Sequence, residues 1–395
     1  MKPILRFSEF ENDWEKDKLN NLGDFTSGGT PLKSNLDYWN GDIPWITTGD
    51  IANLRKENIN NFITEKALEE SSAKLIENRA ILIAMYGQGR TRGMSAILNF
   101  NAATNQACAI FQTDFDINFV YYFFQKSYKY IRSLSNDGSQ KNLSLNLLKE
   151  IQLNYPSKME QNKIGEFFSK LDCQIELEEQ KLAKLEEQKK GYMQQIFSQQ
   201  LRFKDENGNE YPEWEEKKLG DILERGNKDK VNEIGKYRRL TISLHGKGLY
   251  EVKQERKTKD TRPFYQRFEG ELIIGKQNFF NGSIAIVTRE FNGFICSNAI
   301  MSYKISNHMN RTYLLEYLLQ NDFLRKNEYL ADGTGQKELS EKKFEELEIK
   351  LPNSINEQQK IGVFLERLDN LIEKQSNKLE LLKQRKKSFL QKMFV

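Results

Sequence analysis

The feature that most constrains this chain is that it is written twice. Leu5-Arg6-Phe7 recurs as Leu201-Arg202-Phe203, Gln140-Lys141 as Gln336-Lys337 and Pro156 as Pro352, each 196 positions on. After one inserted residue the displacement is 197, and Glu160-Gln161-Asn162-Lys163-Ile164-Gly165 returns as Glu357-Gln358-Gln359-Lys360-Ile361-Gly362, with Leu171-Asp172 following as Leu368-Asp369. Self-similarity at a fixed period means one structural plan used twice. Each half reads as a variable globular segment followed by a shared C-terminal segment.

The shared segment carries helix signals. Ser157 with Glu160, and Ser354 with Glu357, have capping-box spacing just after prolines that cannot lie inside a helix, so both helices should start there. In the first, a seam runs through Ile164, Phe168, Leu171, Ile175, Glu178, Leu182, Leu185, Lys189, Tyr192 and Ile196 in alternating steps of four and three. Adding 197 gives Ile361, Leu365, Leu368, Ile372, Gln375, Leu379, Leu382, Lys386, Phe389 and Met393, with the polar exceptions in the same two slots. A 3.5-residue period held this long predicts a coiled coil. The plain alternative is a long helix lying on its own domain; the matching slots favour pairing of the two helices with each other. A helix of about 38 residues rises about 57 Å, longer than a small domain is wide, and can serve as a spacer.

The second helix ends at Val395, where the first would run on into Leu201-Arg202-Phe203, and the missing continuation stands at Leu5-Arg6-Phe7. The repeat closes on itself. This predicts a pseudo-twofold molecule of antiparallel helices with one globular domain near each end. Within the globular segments, residues 79–85 and 271–275 read as buried strands, and 283–288 alternates like another. Residues 118–132 and 311–326 read as amphipathic helices, with Phe119, Tyr122, Phe123 and Tyr130 expected in a core rather than as a base-stacking platform. The expected fold class is α+β: two mixed α/β domains separated by two long antiparallel helices. The expected boundaries are 1–156 and 201–352 for the domains, and 157–200 and 353–395 for the helices.

Composition narrows the chemistry. At roughly 150 residues per domain, 395 residues suggest two or three domains. Charged residues make up 29% of the chain, yet 11% are aromatic, which is too many for a disordered one. No apolar stretch approaches the roughly 18 residues of a membrane span, and the N-terminus turns polar at Arg6 before a signal-peptide core could form, so neither membrane insertion nor secretion is expected. Cys108, Cys173 and Cys296 are odd in number and far apart, unlike a zinc site or disulfide framework; a reducing cytosol fits them best. With only His245 and His308, a hydrolytic triad or histidine-metal centre is not expected. Net charge is only +4, so any case for nucleic-acid binding must come from local patches.

Two such patches exist. Tyr86 to Gly93 packs three glycines and two arginines into one loop, inside a stretch, 78–113, with three arginines and no acidic residue. Glycine lets a backbone approach a ligand, while Arg90 and Arg92 could fork onto phosphate or a guanine edge. No Gly-Lys-Ser/Thr follows, so it is not a Walker loop. In the second half, residues 236–262 hold nine basic and three acidic residues, a net of +6 that invites phosphate, although a solvated charged face would look the same. The first long helix, over 160–199, is by contrast net −2. Gln140-Lys141 and Gln336-Lys337 each follow glycines, and amide side chains can read adenine edges. Glu348-Ile349-Lys350 has the acid-x-lysine spacing of metal-dependent nucleases, but the equivalent positions in the first half are Gln152 and Asn154, and strand alternation accounts for it. The chain also lacks the Asn/Asp-Pro-Pro-Tyr segment of adenine-modifying methyltransferases. No catalytic constellation and no metal site emerges.

Trp39-Asn40-Gly41-Asp42-Ile43-Pro44-Trp45, Thr104-Asn105-Gln106-Ala107 and above all the duplicated Glu-Gln-x-Lys-Ile-Gly with its following Leu-Asp resemble the specificity subunits of type I restriction–modification systems. The resemblance covers the whole chain. It implies two target-recognition domains separated by antiparallel helices, each reading half of a split, asymmetric site in double-stranded DNA. It implies no catalysis and no cofactor in this chain. Two methyltransferase subunits would bind S-adenosylmethionine and dock on exposed faces of the long helices, and restriction (translocase) subunits would bring ATP and Mg. A spacer of this length fits half-sites about one helical turn, 34 to 36 Å, apart. One departure matters: the second half lacks Gly-Asp-Ile-Pro-Trp and has residues 237–250 in its place, so its half-site should differ.

The expected DNA contacts are Lys33, Arg90, Thr91, Arg92, Gln140 and Lys141 in the first domain, and Arg238, Arg239, Lys247, Lys276, Asn278, Gln336 and Lys337 in the second. Removing a base reader should cost about 1–3 kcal/mol and loosen one position, whereas removing a phosphate contact weakens all sequences alike. Two rivals stand beside this reading. One is a stand-alone coiled-coil structural or regulatory DNA-binding protein, whose seam would drive homodimerisation. The other is a nuclease using Glu348 and Lys350, which would cleave DNA alone with metal.

Overall fold

A computed structural model describes residues 2–87, 90–134, 142–252, 262–330 and 338–395. The chain divides into two compact units: Met1–Gln180 with Asn377–Val395, and Lys181–Ser376. Two long helices, Lys158–Phe197 and Ile355–Met393, are 40 and 39 residues long. Each unit therefore contains the start of one long helix and the end of the other.

In the first unit a four-stranded antiparallel sheet has the order Asp24–Ser27, Cys108–Gln112, Ala80–Ala84, Ser95–Leu98. The strand Ala80–Ala84 is apolar throughout because both of its faces are covered. Ile81 and Ile83 join the core made by the helix Ile117–Ser133 and the ends of the long helices, while Ala80, Leu82 and Ala84 join a second core on the other face. Over that second side the strand Trp39–Ile46 pairs antiparallel with Phe62–Ile63 and parallel with Ala103–Thr104. The strand Glu15–Lys18 pairs with Gln152–Tyr155, just before the long helix begins.

The second unit repeats the sheet, in the order Leu223–Arg225, Ile300–Ile305, Leu272–Gly275, Ile284–Ile286, and repeats the short pair as Glu215–Lys218 with Glu348–Leu351. Leu272 and Ile274 face the core that holds the long helices, and Ile273 faces the other. In Glu348–Leu351, Ile349 and Leu351 are buried while Glu348 and Lys350 are exposed, the alternation expected of a strand. Over the far face lie two short pairs, Leu240–Ile242 with Leu249–Glu251, and Phe264–Gln266 with Ile295–Ser297, joined by a parallel bridge between Arg239 and Ile295.

Two local expectations are corrected. Tyr130 is 55% exposed: the buried stripe of its helix ends on Ile131, one position round the helix, whereas Phe119, Tyr122 and Phe123 are buried. The single helix expected over 311–326 is two, Arg311–Leu318 and Asn321–Lys326. Gln320 between them is extended (φ −61°, ψ 128°) and its side-chain amide donates to the Tyr317 carbonyl at 3.0 Å. The break lets Phe323 and Leu324 turn into the core.

The long helices start where the serines place them, but their glutamates do other work than closing a capping box. Glu160, 1% exposed, accepts from Arg6 Nε and Nη2 at 2.7 Å each and from Trp14 Nε1 at 3.4 Å. Glu357, fully buried, accepts from Arg202 Nε at 3.4 Å and Trp214 Nε1 at 3.2 Å. The next residue binds back: Gln161 and Gln358 each donate to the carbonyl of the preceding proline at 2.9 Å. The glycine that follows allows close packing, since a Cβ on Gly165 would lie 2.1 Å from Asp116 Oδ1 and one on Gly362 would lie 2.6 Å from Asn310 Oδ1. Asp116 and Asn310 cap the helices Ile117–Ser133 and Arg311–Leu318. The duplicated hexapeptide is thus the joint between each long helix and its sheet.

Within each unit the two long helices run antiparallel. In the first, Phe167 meets Phe389 at 5.3 Å between ring centres and Asp172 pairs with Lys386 at 2.5 Å; in the second, Tyr192 meets Phe364 at 5.2 Å and Lys189 pairs with Asp369 at 2.7 Å. These are the same contacts in the two copies, and they place the polar seam residues Lys189 and Lys386 on the duplicated Leu-Asp. Of the seam positions, Ile164, Phe168, Leu171, Ile175, Ile361, Leu365, Leu379 and Leu382 are buried, and Leu182, Leu185, Leu368 and Ile372 are half-buried. The Leu5 N–H donates to the Lys392 carbonyl at 2.9 Å, as the Leu201 N–H donates to the Gln195 carbonyl at 3.0 Å in the continuous copy. Leu5 thus packs on the end of the second long helix as Leu201 packs on the end of the first. No helix among the described residues is long and apolar enough to cross a membrane.

Candidate nucleic-acid interface

The central strands of the two sheets feed equivalent loops. Ala80–Ala84 runs into residues 85–94, and Leu272–Gly275 into residues 276–283. Each loop's first residue is tied to the same partner: the Leu143 N–H donates to the Met85 carbonyl, and the Leu339 N–H to the Lys276 carbonyl, both at 3.0 Å. Arg90, Thr91 and Arg92 therefore occupy the loop that in the other unit holds Lys276 and Asn278. Gln140, Lys141, Gln336 and Lys337 lie outside the described residues.

In the first unit the loop meets two further segments. The Met85 N–H donates to the Ala107 carbonyl at 2.9 Å, and the adjacent Gln106 side chain is bonded by the Thr30 hydroxyl. Lys33 is exposed three residues beyond Thr30, where the Leu32 carbonyl accepts from Trp39 Nε1 at 3.3 Å. Arg90 is exposed, and Thr91 and Arg92 are half-buried. The Tyr128 hydroxyl donates to the Arg90 carbonyl at 2.6 Å, and Arg92 Nη2 donates to the Arg132 carbonyl at 3.3 Å.

In the second unit the basic residues divide by what they touch. Arg238 donates from Nε to Glu251 Oε1 at 2.8 Å and stacks 4.5 Å above the Phe294 ring. That hydrogen bond holds its guanidinium further above its ordinary value, and it ties the residue to its own hairpin. Arg239 stacks 4.5 Å above the Phe264 ring and, with Thr241, Arg262, Gln277 and Asn278, lines a cleft of about 260 Å³. Lys276 lines a neighbouring cleft of about 530 Å³ with Asn227, Lys228 and Asn298. Lys247 is exposed on a turn whose His245 and Gly246 N–H groups donate to the Asn281 and Gly282 carbonyls, at 2.8 and 2.9 Å. Arg239, Lys247, Lys276 and Asn278 are thus gathered around one loop. Sequence reasoning missed Tyr128, Arg132 and Glu251, whose side chains hold these arginines or their loop; nothing in their local spacing marks them.

Two sheets of one strand order, each with basic side chains in the loop at the same strand end, on a chain duplicated around antiparallel helices, define a protein built as two similar halves. The chain belongs to the type I restriction modification DNA specificity domain family, whose model matches residues 11–187 and 211–384. It is 32% identical over 226 residues to the type I restriction enzyme MjaIX specificity subunit of Methanocaldococcus jannaschii, covering 53% of this chain and 52% of that protein. It is 28% identical over 175 residues to the EcoR124I/EcoR124II specificity subunit of Escherichia coli, covering 43% of each. The matched region spans about half the length of these curated relatives, or somewhat less. Among solved structures, the S subunit of a type I restriction–modification system from M. genitalium is similar over 100% of this chain and 99% of its own, with a TM-score of 0.64 and 18% identity. That likeness shows the fold.

Proposed function

We propose that this chain is the non-catalytic, DNA-reading subunit of a type I restriction–modification complex in the cytoplasm. Each unit reads one half of a split, asymmetric site in double-stranded DNA. Backbone amides, lysines and arginines anchor phosphates, and a few Arg, Gln, Asn and Thr side chains read base edges. Two methyltransferase subunits carrying S-adenosylmethionine dock on the long helices and methylate adenine at the site; restriction subunits supply ATP- and Mg-dependent cleavage.

The observation that carries this reading is the family match over both halves, taken together with equivalent loops that bear different side chains. Unlike loops on like sheets support unlike half-sites. Co-expression with the methyltransferase subunits, followed by genome-wide mapping of methylated adenine, tests it. The expected result is a split motif that disappears when this chain is withheld and a stable complex of the chain with two methyltransferase subunits. A purified chain that only homodimerises, with methylation unaffected by its presence, would overturn the proposal in favour of a stand-alone coiled-coil protein.

A further inference from the structure

We infer that in the first unit's loop Arg90 is the base reader and Arg92 is a positioning residue, part of a clamp with Tyr128 and Arg132 that fixes the loop on the helix Ile117–Ser133. The inference rests on the DNA-reading function proposed above, and it separates two arginines that the sequence alone presents as equivalent.

The loop's base is held by the central strand. The Gly93 N–H donates to the Ala84 carbonyl and the Ala84 N–H to the Met94 carbonyl, both at 2.9 Å. Between them the Met94 N–H closes a turn onto the Thr91 carbonyl at 3.0 Å, with Gly93 at φ +82°, the left-handed position that a type II turn requires at its third residue. The helix then grips the loop from the side. Tyr128 Oη donates to the Arg90 carbonyl at 2.6 Å, Arg132 Nη1 donates to Tyr128 Oη at 3.2 Å, and Arg92 Nη2 donates to the Arg132 carbonyl at 3.3 Å. The Arg132 carbonyl belongs to the last turn of that helix, where unsatisfied carbonyls and the helix dipole favour a cation. Arg92 is half-buried and turns Nη2 of its guanidinium to the Arg132 carbonyl, whereas none of these bonds uses the guanidinium of the exposed Arg90. A guanidinium whose own backbone carbonyl is tied to Tyr128 suits the O6 and N7 acceptors of guanine, which favour a bidentate donor.

The test uses the full chain assembled with its methyltransferase subunits. A split methylation motif from the unaltered complex is established first and bears on the proposed function; the variants bear on this inference. Binding is then compared between the cognate duplex and duplexes changed at one base pair, a ratio that does not depend on the folded fraction. Arg90→Ala should lose roughly five- to hundredfold discrimination at one guanine of one half-site, and Arg90→Lys, a point donor, should fail to restore it. Arg92→Ala and Tyr128→Phe should weaken binding to all duplexes by roughly two- to tenfold with the motif unchanged. Arg92→Lys can still donate to the Arg132 carbonyl and should recover most of that loss. An unchanged ratio in Arg90→Ala, restoration of the ratio by Arg90→Lys, or loss of a single base preference in Arg92→Ala would each overturn the assignment.

Discussion

The two units build the same four-stranded sheet and cover its far face differently. In the first, the strand Trp39–Ile46 bridges an antiparallel and a parallel neighbour, with Trp45 Nε1 donating to the Gly29 carbonyl at 3.0 Å. In the second, the hairpin of Leu240–Ile242 with Leu249–Glu251 stands there, and it meets the pair Phe264–Gln266 with Ile295–Ser297 only through a short parallel bridge from Arg239 to Ile295. What the units share is the joint to the long helix: an arginine and a tryptophan on a buried glutamate, a glutamine on a proline carbonyl, a glycine under a helix cap. The difference teaches where each copy was free to change. Every group in the joint is buried against a specific partner, so altering one strands another, whereas an insert over the far face needs only to cover apolar side chains.

The joints themselves are unequal, which gives the largest expected effect. Arg6 holds Glu160 through two bonds of 2.7 Å, while Arg202 holds Glu357 at 3.2 to 3.4 Å. Removing one partner of a buried pair leaves the other uncompensated and costs about 3–5 kcal/mol. Glu160→Ala should destabilise the first unit by that amount, and Glu357→Ala the second by less. Hydrogen exchange, which reads local opening in each unit separately, checks this; equal losses would break the comparison. Next in size, Gly165→Ala forces a methyl group onto the carboxylate that caps the helix Ile117–Ser133, at a cost of about 1–3 kcal/mol. Gly362→Ala, with slightly more room, should cost less. Thermal melting of the two variants ranks them, and the reverse order would contradict the geometry.

The smallest effect lies in pH. Tyr122 donates to Asp172 at 2.8 Å beside Lys386; at the equivalent place the second unit has Glu316, which pairs with Lys189 at 2.8 Å beside Asp369. Burial pushes the Glu316 carboxyl above its ordinary 4.5, and the attraction of Lys189 only partly offsets this. The folded unit holds that proton more tightly than the unfolded chain, so the second unit loses stability as pH rises from about 4.5 through the raised value. Burial pushes the Tyr122 hydroxyl up as well, far from this range, so the residue at the equivalent position in the first unit does not give the effect. Glu316→Gln should remove the slope from the second unit's stability, followed by hydrogen exchange against pH, and leave the first unit unchanged. A slope that survives the substitution would assign it to another group.

Much of this was legible because the chain repeats. The duplication, the starts of both long helices and their antiparallel pairing follow from local spacing and from polar residues recurring in matched seam slots. The partners of Glu160 were not legible, since Arg6 and Trp14 lie about 150 positions away and only folding brings them together. Their clue was that Leu-Arg-Phe and Glu-Gln-x-Lys-Ile-Gly are duplicated together. Gln320 breaks a helix that its periodicity would continue, because the core lies where Phe323 can reach it only after a turn. At the candidate site, the glycine-rich loop announced itself, but the clamp on it comes from Tyr128 and Arg132, 36 to 42 positions beyond the arginines.

The central claim is that two unlike readers on like sheets serve two halves of one DNA site. It is tested most directly by mapping methylated motifs from complexes carrying Arg90→Ala or Asn278→Ala, each against the unaltered chain. The account predicts a split motif in which the first substitution relaxes one half and the second relaxes only the other. A continuous motif, or both substitutions acting on the same half, would contradict it.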